Sequence, residues 1–274
     1  MPGLEVTLLP GARELLARHA RELPQRDDLC GAFCGALALH AAGLRERAGE
    51  PLDQDAVALA AGSVVSAMRE AGTLPFGESG RRDYRLSIPL IEDEQLSGTT
   101  AAGVREAIER LSDGVLRVLP YAAPWTPATL DGLFELVAGL PRPASLLANH
   151  ATRYLWGSRA SLPTLLDYLL DGAAQGPAPD WDVGHFACVV GRIGGPAGNL
   201  YALADTYPAL GDAGVHLQPR ERLAAALERR EKPAGGMLVV LFAQDASRVR
   251  AGAGAIGLQE RIWDNGSITS AALP

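Results

Sequence analysis

Gln25-Arg26-Asp27-Asp28-Leu29-Cys30-Gly31-Ala32-Phe33-Cys34-Gly35-Ala36-Leu37-Ala38-Leu39-His40-Ala41-Ala42 is the stretch on which the reading of this chain turns. Four polar residues open it, and from Cys30 onward nearly every residue is small and apolar. Such a segment has no polar face to give to water, so it is expected to be a helix buried on all sides. Pro24 closes what precedes it and Gly43 ends it. Its first helical residue is a thiol at the polar-to-apolar junction. A free cysteine, with a pKa of about 8.5, is mostly protonated at neutral pH. The open N–H groups and positive dipole end of a helix favour the thiolate at that position.

Working outward, Gly11 to Leu23 shows apolar residues at helical spacing, and Asp53 to Met68 and Thr99 to Leu111 read as helices with Asp53 and Thr99 as N-caps. Gly72 to Gly98 is rich in Gly, Pro and charge and reads as a loop, a lid or a substrate-contacting surface. Val115 to Leu119 and Ala144 to Ala148 are expected strands, with a helix over Pro127 to Leu140 between them and another over Leu162 to Leu170 after them. Gly172 to Asp180 is a connector. His185 to Ile193, a turn over Gly194 to Asn199, and Leu200 to Asp205 form a β-hairpin. Gln218 to Leu227 reads as helix, Met237 to Phe242 as a last strand, and residues 251–274 as a Gly-rich tail outside a single domain of residues 1–250.

With 274 residues and 47% apolar content the chain can bury a large core. A formal charge of -7 gives no basic field to recruit nucleic acid or anionic lipid. Lys232 is the one lysine among 25 basic residues, a bias read as that of a GC-rich bacterial genome. Met1 to Leu9 carries Glu5 and no basic region, and no apolar run approaches the roughly 20 residues of a membrane span. A cytoplasmic location without membrane partners is therefore expected. Three cysteines, Cys30, Cys34 and Cys188, do not make a disulfide framework.

A thiolate nucleophile needs a base. His185 opens a Val-rich strand after Gly184 and Asp182. If the hairpin turn is centred near Pro196, the residue opposite His185 is close to Tyr207, and Asp205 is its diagonal neighbour on the same face. A carboxylate there would orient the ring, completing a thiol, imidazole and acid triad. The backbone N–H of Cys30 and the side-chain amide of Gln25, five residues earlier, would supply oxyanion donors. Gly31 would let substrate approach closely, and Asn149, Trp181 and Gly184 are candidate substrate contacts.

These residues resemble the papain-like cysteine peptidases, closest to the bacteriocin-processing double-glycine leader peptidases. The resemblance rests on Gln25 ahead of an acidic residue and Cys30-Gly31-Ala32-Phe33-Cys34, on Gly184-His185-Phe186-Ala187-Cys188-Val189-Val190-Gly191, and on Ala204-Asp205-Thr206-Tyr207-Pro208. It covers about 60 residues in two blocks and implies Gln25 as oxyanion donor, Cys30 as nucleophile, His185 as base and Asp205 as orienter. Leu29 stands where the family has Asp. The 155 residues from Cys30 to His185 exceed the family's usual interval, which implies an insertion.

The expected fold is α+β: a papain-like fold whose helical half, led by the Cys30 helix, packs on an antiparallel β-sheet carrying His185 and Asp205. The expected function is hydrolysis of an amide or peptide through the Cys30, His185 and Asp205 triad. Acyl transfer or amide formation in a bacterial natural-product pathway is the alternative, on a peptide or small acyl substrate that could be carrier-bound. A papain-like scaffold that binds without catalysis is the rival of another class. No cofactor and no metal are expected: Cys30 and Cys34 could form one side of a zinc site, but no second tight pair accompanies them. Cys34 and Cys188 read as core, and His19, His40, His150 and His216 as structural. Oligomeric state is not legible.

Overall fold

A computed structural model describes residues 3–68, 74–229 and 233–273. Residues 1–2 of the N-terminal stretch, 72–73 of the expected loop and 274 of the expected tail lie outside the described residues. The fold is α+β. Its frame is one antiparallel sheet of β1 (Glu5–Leu8), β2 (Leu116–Ala122), β3 (Ser145–Ala151), β4 (Gly184–Gly194), β5 (Asn199–Ala204), β6 (Val215–Pro219), β7 (Gly236–Phe242) and β8 (Gln259–Glu260). The order is β6-β5-β4-β3-β7-β2-β8, with β1 pairing along the far half of the long β4. Every residue of β3 is buried, as a central strand covered on both faces requires.

The helices are α1 (Ala12–Glu22), α2 (Cys30–Ala41), α3 (Gln54–Ala61), α4 (Ala101–Leu111), α5 (Pro127–Ala138), α6 (Leu162–Asp171), α7 (Arg220–Glu228) and α8 (Ala246–Ala255). Helix α2 runs through the middle, packed on α1, α3, α4 and strands β3 and β4. Phe33, Leu37 and Leu39 are wholly buried there. Each such side chain contributes about 1.5–3 kcal/mol of transfer free energy, which holds the thiol-bearing end of α2 against the sheet.

Several boundaries differ from the sequence reading, each for a local reason. The helix expected over 53–68 stops at Ala61 because Gly62 takes a left-handed conformation (φ 66) that caps it. Val65–Ser66 then pairs, in parallel, with Leu90–Ile91 inside the expected loop. Asp53 does cap α3, accepting from Ala56 N–H at 2.9 Å. The α4 cap is Thr100, bonded to Gly103 N–H, whereas the Thr99 hydroxyl bonds Ser63 at 2.8 Å. Gln218 belongs to β6, and Pro219 precedes the first turn of α7. Strand β1 is only four residues long, so the alternation of Glu5-Val6-Thr7-Leu8 is too short to announce it in the sequence.

Residues 251–273 are not a tail. They complete α8, pair through β8 with β2, and bury Trp263. Asn265 then accepts from Ala101 N–H at 3.1 Å and donates to the Thr99 carbonyl at 3.2 Å, closing the start of α4. Gly252, Gly254 and Gly257 obscure this segment's role, which is carried by the burial of Ala253, Leu258 and Trp263 and by hydrogen bonds.

Candidate active site

The nucleophile loop and the acid-bearing strand end are tied together before any chemistry is considered. Gln25 N–H donates to the Thr206 carbonyl at 2.9 Å, beside Asp205. Arg26 is fixed by Gln54 Oε1 on its N–H at 2.7 Å and by a buried ion pair to Asp55 at 3.0 Å. Asp27 Oδ1 accepts from Arg81 N–H, and Asp28 Oδ2 from Ser66 N–H, both at 2.7 Å. Held this way, the loop delivers Cys30 to the first position of a helix that no side chain caps. The first-turn N–H groups are thus left open at the end that carries the thiol.

His185 sits at the end of β4 and Asp205 directly follows β5. A bulge between Val189 and Gly191 shifts the β4–β5 register by one, and continuing the Cys188↔Ala204 pairing sets Tyr207 across from His185 with Asp205 on the diagonal. His185 Nε2 donates to Asp205 Oδ1 at 2.8 Å, which leaves Nδ1 for the thiol. Burial works to lower the imidazole pKa. The Asp205 charge and hydrogen bond, helped by the Cys30 thiol, outweigh it and raise the value to about 10. Burial likewise opposes ionisation of Asp205, but the charge and hydrogen bonds of His185 and His216 hold its carboxyl below the usual carboxylate range. Trp181 meets the His185 ring edge-on at 5.0 Å, and Tyr207 stacks on it at 6.3 Å.

Two histidines read as structural complete the acid's surroundings. His216 Nε2 donates to Asp205 Oδ2 at 3.1 Å, and His19 Nε2 to the Asp205 carbonyl at 2.5 Å. Gln218 fixes the His216 tautomer. Its Oε1 accepts from Trp156 N–H at 2.8 Å, so its Nε2 must be the group that donates to His216 Nδ1 at 3.0 Å. The signal that could have found them is the spacing: His216 and Gln218, two apart on a strand, share a face. That signal needs Val215–Pro219 to be a strand, whereas the sequence places Gln218 at the head of the following helix. His150 lies beneath His185 at 5.8 Å, wholly buried, its pKa lowered to about 3 by burial and then by the His185 charge.

The site opens on a cavity of about 670 Å³, a size suited to a small ligand or a peptide segment. Gln25, Cys30, Trp181, Gly184 and His185 all line it. Gln25 is 3% exposed; its Oε1, an acceptor, has no hydrogen-bond partner among the described residues, and a bond to an oxyanion would come from Nε2. Asn149 also lines the cavity, but its atoms are committed: Oδ1 accepts from Arg229 and Trp263, and Nδ2 donates to the His185 carbonyl at 3.3 Å. It positions β4 rather than offering a free group to substrate.

Gly31 is not on the cavity wall. A Cβ there would meet Thr99 and Val104 at 3.1 Å and Phe186 at 3.2 Å. The glycine serves close packing of α2 against α4 and β4, and substrate approach is not its use. Gly31→Ala should cost about 1–3 kcal/mol through overpacking, seen as a lower urea midpoint at unchanged slope. An unchanged midpoint would show that the wall yields freely.

Cys34 and Cys188 are fully buried core residues, the latter 3.9 Å from the Cys34 carbonyl. Burial pushes the Cys34 thiol up, so it is no competing nucleophile. No group of three or more His, Cys, Asp or Glu suited to a metal ion occurs among the described residues. No helix among them is long and apolar enough to cross a membrane. Residues 9–264 match the model of a family of unknown function, DUF6885, and no curated protein matches.

Proposed function

The chain belongs to the DUF6885 family, and we propose that it performs thiol-dependent acyl chemistry on an amide or peptide, on a papain-like fold, with Cys30 as nucleophile. The observation that carries this reading is the series Asp205, His185, Cys30, converging at the open end of a buried helix on the rim of a cavity. In it each group has the neighbour its role requires. Cys30 Sγ attacks the carbonyl carbon, and the C=O π pair moves to oxygen, facing the Cys30 N–H and the Gln25 amide. The C–N bond then breaks, the leaving amine takes the His185 proton, and an acyl thioester remains. Water, deprotonated by His185, attacks that thioester and releases acid and thiol. If an amine takes the place of water, the same intermediate gives acyl transfer or amide formation.

The test is to mix the protein with p-nitrophenyl acetate, quench in acid and map the acetyl group by mass spectrometry. The adduct is expected on Cys30 alone. Gln25→Ala should slow its formation about 10²-fold, because a developing oxyanion loses a donor. The same substitution should change alkylation by iodoacetamide far less, since that reaction forms no oxyanion. Acetylation spread over all three thiols, or absent from Cys30, rejects the assignment.

A further inference from the structure

Arg229 ends α7 in a left-handed conformation (φ 44), and its side chain turns back into the cavity wall. It is 3% exposed. Nη2 donates to Asn149 Oδ1 at 2.7 Å and Nη1 to the Pro233 carbonyl at 3.1 Å, while Nε has no partner among the described residues. One further N–H on each terminal nitrogen is left without a protein acceptor there. No carboxylate among the described residues pairs with it, so its charge is met only by neutral oxygens and, at longer range, by Cys30. Burial lowers its pKa to about 10, which still leaves it a cation at neutral pH.

A buried guanidinium without a counter-charge is costly, and proteins keep one where a ligand supplies the missing anion. The surroundings hold this one open. At Gly184 a Cβ would press on Nη1 at 3.2 Å, and at Gly235 one would meet the Leu227 and Asn149 carbonyls at 2.5 and 2.7 Å before Nε at 2.9 Å, so the guanidinium lies against bare backbone on both sides. Asn149 and Trp263 lock its orientation from behind. The four acids that line the cavity among the described residues are differently placed. Asp27 and Asp28 accept from backbone N–H groups, Asp182 pairs with Arg153 at 2.7 Å, and Glu94 opens the short turn Glu94–Leu96.

We propose that Arg229 is an anion subsite, and that the substrate on which Cys30 acts carries a carboxylate held by its two free terminal N–H groups. This rests on the nucleophile reading of Cys30 and adds the substrate class. The fork of a guanidinium matches the two oxygens of a carboxylate, and charge-assisted bonds of this kind are roughly twice as strong as neutral ones.

The experiment compares rates of Cys30 modification by charged and neutral reagents of the same reactivity: iodoacetate against iodoacetamide, and 3-maleimidopropionate against its N-methyl amide. The two pairs place the carboxylate at different distances from the sulfur. The readout is the acid-to-amide rate ratio, in which any general effect on the thiol cancels. For at least one pair, Arg229→Gln should lower this ratio about 10-fold or more, Arg229→Lys should retain part of it, and 1 M salt should erode it in the unmodified protein. A ratio equal within twofold in all three proteins overturns the proposal, because Arg229 would then serve the thiol or the fold only. Should neither reagent of either pair modify Cys30, the nucleophile reading fails separately. The subsite is then judged in Cys30→Ser by melting temperature. A rise with N-acetylglycine and none with its amide upholds it, and no difference rejects it.

Discussion

Replacing His185 by Ala should lower acetylation of Cys30 by p-nitroacetanilide, whose leaving amine unlike p-nitrophenolate needs a proton, by about 10⁴-fold, the scale of losing the base from a nucleophile and base pair. The measurement is the stopped-time yield of the Cys30 adduct. A second readout separates loss of the base from general disruption. Alkylation by iodoacetamide needs no proton transfer to a leaving group, only thiolate. In the intact protein it should therefore be helped by the neighbouring imidazolium, whose pKa stands near 10. With Ala at 185 that cation is gone and alkylation at pH 6 should fall about 100-fold. A variant that keeps both rates at pH 6 would show that His185 and Cys30 do not act as a pair.

Asp205→Ala should cost about 3–5 kcal/mol of stability, because it strips the counter-charge from a buried imidazolium. The loss extends beyond one contact. The carboxylate also takes the His216 Nε2 hydrogen and the Thr206 N–H at 2.7 Å, and all of these donors would be left buried. The pH dependence carries a sign that can be worked out. Asp205, lowered below its ordinary value, contributes stability that is present above about pH 4 and lost as pH falls further. His185, raised to about 10, contributes stability fully present below about pH 6.5 and lost as pH climbs through 10. Urea unfolding from pH 4 to pH 10 should therefore show stability declining above about 6.5, and the decline should flatten in Asp205→Ala. An identical slope in both proteins would mean that the imidazolium is not held by this carboxylate.

Stability and chemistry meet in the same network. Gln218 fixes the His216 tautomer, His216 and His185 flank Asp205, and His185 faces Cys30. Such a chain of fully satisfied buried groups rigidifies the site and sets the direction of its hydrogen bonds. Arg229 stands apart from it as a buried cation of the cavity wall whose Nε has no partner among the described residues.

The sequence by itself determined the elements with strong local signals: the all-round apolar helix from Cys30, the Val-rich strand from His185, and the hairpin that follows it, while the bulge between Val189 and Gly191 decided the register that sets Asp205 on the diagonal. These follow from periodicity and turn chemistry, which act over a few residues. Only the tertiary structure decided which distant groups meet. His19, His216 and Gln218 gather at Asp205 because strands close in sequence pair sideways and α1 packs across them, and no local pattern encodes that. Arg229 and Asn265 reach the cavity from the end of α7 and from the C-terminal segment, with Trp263 holding Asn149 behind them, by single side chains rather than by a periodic face. Gly31 changed its meaning for the same reason: a glycine's neighbours, and not its position in a motif, settle whether the space beside it belongs to a ligand or to the protein's own packing.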